Sequence, residues 1–155
     1  MSQLKHATAL ALAAAIVVGA WGLPARAWAE GPVVEHLTAS QVEQILQSQG
    51  FTNITTDQDG DLVVMMQGVK VLVLIGSNKG TSIDMQFSMS GTQATMEKVN
   101  TWNKTRRYSR AYLDDDGDPV LEAEQDLAGG VTTARLVDFF QTFVQSLSTF
   151  SREVL

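Results

Sequence analysis

Between residues 131 and 155, Leu136, Phe139, Phe140, Phe143, Leu147, Phe150 and Val154 recur three or four positions apart. A helix with that stripe has one broad aromatic face and must bury it against something. The matching surface lies upstream. Ile83, Met85, Phe87 and Met89 alternate with Ser82, Asp84, Gln86 and Ser88, the period of a strand covered on one face only. An antiparallel sheet with helices packed on it, an α+β fold, satisfies both demands. Phe rings at helical spacing facing such a strand read as core rather than as a cofactor site.

The remaining elements follow from end signals and changes of period. Thr38 with Gln41 forms a capping box, Leu37 and Val42 stand where a hydrophobic staple closes, and Gly50 followed by Phe51 marks the stop of a first helix carrying Val42, Ile45 and Leu46. From Thr52 to Ser90 the period is two, and turn signals at 57–61, Gln67-Gly68 and Asn78-Lys79-Gly80 divide the segment into three or four antiparallel strands, with Val71 to Ile75 in the sheet interior. Ser90-Gly91-Thr92-Gln93 offers a second capping box, for a helix with Met96, Val99 and Trp102 at helical spacing and basic residues in its last turn. A hairpin from Tyr108 to Leu127 follows, and Val131-Thr132 opens the final helix after Gly129-Gly130. In that hairpin, Leu113 opposite Leu121 and Ala111 opposite Ala123 place apolar pairs on the core side, leaving 115–119 as the loop.

The domain so described occupies 37–155. Residues 1–29 read as an export signal: Lys5 and His6, an uncharged run from Ala7 to Leu23, Pro24, then Ala27-Trp28-Ala29 with cleavage after Ala29, or after Ala27 as the weaker option. The 17-residue run is at the short limit for a membrane anchor. Residues 30–36 are expected to be a flexible lead. Loss of Lys5 and Arg26 leaves nine basic and 17 acidic residues, a charge of −8. The field of such a chain repels polyanions and disfavours nucleic acid or an anionic membrane as partner. Without Cys there is no disulfide, thiol nucleophile, thiolate metal site or lipid-anchor residue.

The acid-rich stretch 111–130 invites a metal reading. An EF-hand loop needs acids at its first position and a Glu at its twelfth. With Gly117 at position six those places hold Tyr112 and Ala123, and with Gly60 at position six they hold Thr55 and Met66. The loop reads as a solvated hairpin tip, with weak Ca2+ contact at Asp114, Asp116 and Asp118 as the alternative. Beyond the export signal His36 is the only histidine, poorly placed as a general base, and no nucleophile elbow, phosphate loop or dinucleotide fingerprint occurs. Glu122 and Glu124 lie on one strand face with no cleft to raise a pKa. No catalytic, cofactor or metal residue is assigned. Asn53-Ile54-Thr55 and Asn103-Lys104-Thr105 match the glycosylation pattern but carry no weight behind a bacterial-type signal. Lys104, Arg106, Arg107 and Arg110 form the one basic cluster, read as helix-end and cross-strand pairing, with an anionic partner as the alternative.

Trp102-Asn103, 107–113 (Arg-Tyr-Ser-Arg-Ala-Tyr-Leu), 116–122 (Asp-Gly-Asp-Pro-Val-Leu-Glu) and 126–131 (Asp-Leu-Ala-Gly-Gly-Val), followed by the Phe-rich helix, resemble the YbjN family of bacterial sensory transduction regulators. The likeness is strong over 102–150 and looser over 37–90. The resemblance implies a fold similar to type III secretion chaperones, in the order helix, three or four strands, helix, two strands, helix. It also implies protein binding, a homodimer, no enzymatic activity and no cofactor. The expected function is a non-enzymatic periplasmic or secreted interaction module, chaperone-like or regulatory, binding a protein or peptide through the sheet surface or an apolar groove beside the last helix. The alternative is a carboxylate-based hydrolase or weak cation binder.

Overall fold

The computed structural model describes residues 32–75 and 79–155. The export signal expected at 1–29, the start of the lead and Asn78 of the expected turn lie outside the described residues.

The elements run β1 (Val33–Val34), α1 (Ala39–Ser48), β2 (Ile54–Thr56), β3 (Leu62–Met66), β4 (Val69–Leu74), β5 (Ser82–Ser88), α2 (Met96–Thr105), β6 (Arg110–Leu113), β7 (Pro119–Asp126), β8 (Val131–Thr132) and α3 (Thr133–Glu153). Six strands form one antiparallel sheet in the order β2-β3-β4-β5-β7-β6. All three helices lie on one face. Val42 and Leu46 of α1, Val99 and Trp102 of α2, and Leu136, Phe140, Phe143, Leu147 and Phe150 of α3 join one core with Leu62, Val64, Met66, Val71, Val73, Ile83, Met85, Phe87 and Leu121 of the sheet. This is the expected α+β architecture, with four strands between the first two helices.

Helix α1 has both predicted ends. Thr38 N–H donates to Gln41 Oε1 at 2.9 Å, and Gln41 N–H donates back to Thr38 Oγ1 at 3.3 Å. Gly50 takes φ +91°, and the Gly50 and Phe51 N–H groups reach the Gln47 and Leu46 carbonyls at 3.0 and 3.2 Å. That is the Schellman closure a C′ glycine permits.

Three expectations are corrected. Helix α2 is capped by Thr95, whose Oγ1 accepts from Lys98 N–H at 3.2 Å, and not by the box at 90–93. Thr92 Oγ1 is spent instead on Ala94 N–H, and Gln93 N–H donates to the Leu155 carbonyl, which keeps 90–94 as a loop laid on the end of α3. The β6–β7 register differs by two residues: Ala111 pairs with Leu121 and Leu113 with Pro119, so the loop is 114–118. A slip of two preserves which side chains face the core, so the apolar pattern could not exclude it; the loop decides it. Asp114 Oδ1 accepts from Asp116 and Asp118 N–H at 3.1 and 2.8 Å, while Asp114 N–H donates to the Asp118 carbonyl at 2.9 Å. The lead, finally, is not free where it is described: Val33–Val34 pairs with Val131–Thr132. Val33 packs where Gly130 has no side chain, since a Cβ there would lie 2.2 Å from Val33 Cγ1.

Candidate functional site

Turning the sheet over shows what the helices leave uncovered. Register fixes a row across the opposite face: Thr55, Val63, Leu72, Gln86, Glu122, Arg110. Val63, Met65, Leu72 and Leu74 are half-buried, and Tyr112 is 37% exposed. A shallow depression of about 360 Å³ is lined by Val63, Lys70, Leu72, Gln86, Ser88, Tyr112, Asp114 and Val120. The run Val71 to Ile75 is therefore interior only in the sense that β4 has a strand on each side; Leu72 and Leu74 point to this second face.

The face is apolar toward β2 and charged toward β6. Arg110 donates through Nε and Nη2 to Glu122 Oε1, directly across the ladder, and its guanidinium lies 5.9 Å from the Tyr112 ring centroid. The hydrogen bond and charge of Glu122 hold the guanidinium above its ordinary range. Burial first, and then Glu122, push the Tyr112 phenol up. Arg106 pairs with Glu153 across α2 and α3 and sits 5.8 Å from the Trp102 ring centroid. Two members of the basic cluster are thus held in intramolecular pairs.

The two outer edges of the sheet differ. In an antiparallel ladder, alternate residues turn both backbone groups toward the neighbour and the others turn them away. Asp114 bonds Asp118 across β6–β7, so Tyr112 and Arg110 face β7 while Ala111 faces outward. Both outward groups of Ala111 are taken by one side chain: Asn103 Nδ2 donates to the Ala111 carbonyl at 2.8 Å, and Ala111 N–H donates to Asn103 Oδ1 at 2.9 Å. The α2 amide thus takes the place of a neighbouring strand at Ala111 and blocks that edge there. On the other side, Met65 N–H donates to the Asn53 carbonyl and Asp57 N–H to the Asp61 carbonyl, so Thr55 faces β3 while Ile54 and Thr56 face outward. No described residue pairs with the outward groups of Ile54 and Thr56.

The acidic tip is built as a turn. Asp57 to Asp61 repeats its design: Asp57 Oδ1 accepts from Asp59 and Asp61 N–H at 3.0 and 2.9 Å, and Gly60 and Gly117 take φ +86° and +83°. Each Asp-x-Asp-Gly-Asp spends a carboxylate oxygen of its first Asp on backbone donors, the Asx-turn use of that residue. Among the described residues no group of three His, Asp or Glu side chains is arranged to hold an ion. His36 is exposed, before α1. Of the clefts beside α3, one is walled mainly by polar groups, with Tyr108, Glu124, Arg135, Asp138, Phe139 and Thr142, while the other mixes Trp102 and Tyr108 with Arg106, Arg107 and Ser146.

Residues 38–155 match the family described as "YbjN: Putative bacterial sensory transduction regulator". The chain belongs to the YbjN family. Among solved structures, it is similar to the crystal structure of "YbjN, a putative transcription regulator from E. coli", at 15% identity and TM-score 0.59, covering 80% of this chain and 99% of that one. It is also similar to the Yersinia pestis type III secretion chaperone SycH, in complex with a stable fragment of YscM2, at 15% identity and TM-score 0.51, covering 72% of this chain and 97% of that one. No curated protein matches the chain. At such identities the structural likeness speaks for the fold, which is the chaperone-like one that the family resemblance implies.

Proposed function

We propose that this member of the YbjN family is a non-enzymatic, exported interaction module of the periplasm that binds a protein or peptide through its sheet. The carrying observation is the second sheet face. Three helices cover one side, while Val63, Met65, Leu72 and Leu74 form an accessible apolar band on the other. Apolar surface gathered into one patch with a polar rim is the usual composition of a recognition surface. The chaperone-like fold supports the reading, since the SycH structure holds a fragment of another protein. The N-terminal segment, with its apolar run and Ala27-Trp28-Ala29, supports export.

The test is retention of periplasmic proteins by the chain and by Leu72→Glu, which charges the band without touching the helix-covered core. The reading expects a partner held by the parent and lost by a variant of unchanged melting temperature; identical retention, or none, contradicts it. Calcium gives the other arm, with no rise in melting temperature expected. A rise of several degrees at micromolar Ca2+ would move the assignment to a cation-dependent protein.

A further inference from the structure

We propose that the partner adds an extended segment along β2, making the seventh strand of the sheet, with apolar side chains at alternate positions and a basic residue beside Asp57 and Asp59. The inference rests on the interaction-module reading and specifies its geometry.

Three observations meet at this edge. Ile54 and Thr56 present two N–H and two C=O groups outward with no partner among the described residues, the pattern a strand-forming peptide completes. The opposite edge is blocked at Ala111, where Asn103 occupies both outward groups in the middle of the four-residue β6. The band Val63–Leu72 continues directly from Thr55 in the same cross-strand row, so every second side chain of an added strand would extend that apolar surface. The intervening side chains would fall on the side of half-buried Ile54.

Charge selects the occupant further. The Thr56 end of the edge abuts the turn 57–61, where Asp57 is held by its backbone donors and exposed Asp59 accepts no hydrogen bond among the described residues. On a chain of formal charge −6, a segment with Lys or Arg at that end is attracted and an acidic one is repelled. The shortness of β2, three residues, suits an edge kept from indiscriminate pairing.

The probe is a phage-displayed library of random twelve-residue peptides, panned against the chain, with recovered peptides synthesised for titration. The inference expects apolar residues at alternate positions, basic residues toward one end, and affinity that falls with added salt. It expects Thr56→Pro to weaken binding at least tenfold. That substitution removes an outward donor and no bond to β3, a position where an edge strand tolerates proline. A peptide-side control leaves the protein untouched: N-methylation of every second backbone nitrogen abolishes binding, while methylation of the intervening ones does not. Peptides that bind Thr56→Pro as tightly as the parent, are indifferent to N-methylation and lose affinity only for Leu72→Glu would overturn edge addition while leaving the interaction module in place. Failure to enrich any peptide would count against both.

Discussion

Phe150→Ala lowers the free energy of unfolding by about 3–5 kcal/mol, the range for truncating a fully buried aromatic ring. Phe150 is 0% exposed and joins three elements: its ring meets Phe87 of β5 at 6.3 Å and Trp102 of α2 at 5.2 Å, both edge to face. Removing it opens a cavity where α2, α3 and the sheet converge, and neither aromatic partner can refill the space without leaving its rotamer. Urea denaturation checks the value. A loss below about 1.5 kcal/mol, closer to that of a tolerated swap, would mean that α3 does not fasten α2 to the sheet.

Gly80→Ala is the second large effect, for a backbone reason. Gly80 has φ +74°, and a Cβ there would lie 2.1 Å from the Leu37 carbonyl oxygen. Leu37 N–H donates to the Gly80 carbonyl at 3.0 Å, and buried Leu37 precedes the Thr38 cap of α1. A methyl group must therefore separate the two segments, break that hydrogen bond and lift the residue before the cap. Left-handed backbone alone costs about 1–2 kcal/mol for a residue with a Cβ, and the loss expected here is about 3 kcal/mol or more once the displaced contacts are included. Gly60→Ala is the control. Gly60 has φ +86°, and a Cβ added to it would meet nothing within 4 Å, so it should show the conformational cost alone. Equal losses at the two positions would show that the approach of Leu37 to Gly80 carries no energy.

What the residues disclosed, and what they hid, divides by the range of the interaction. Helix α1 was legible at both ends because Thr38, Gln41, Gly50 and Phe51 act within a few positions of one another. The α3 stripe and the alternation of β5 were legible because burial on one face imposes a period. Helix α2 was misjudged at its start because Thr95 has Lys98 three residues on rather than Glu or Gln, while Ser90 to Gln93 copies the box without forming it. The β6–β7 register was invisible to periodicity, and the parallel between 57–61 and 114–118 was the signal that could have set both loops. The candidate site was the least legible part. Nothing local says that Asn103 closes the Ala111 edge, or that Ile54 and Thr56 have no outer neighbour among the described residues; both facts belong to the assembled sheet.

That contrast between edges is where the account stands or falls, and residue-resolved amide hydrogen exchange in the free protein measures it directly. The account predicts strong protection at Thr55, bonded inward to β3, and at Ala111, bonded to Asn103, with Ile54 and Thr56 exchanging at close to unprotected rates. Protection at Ile54 and Thr56 equal to that at Thr55, or rapid exchange at Ala111, would contradict it.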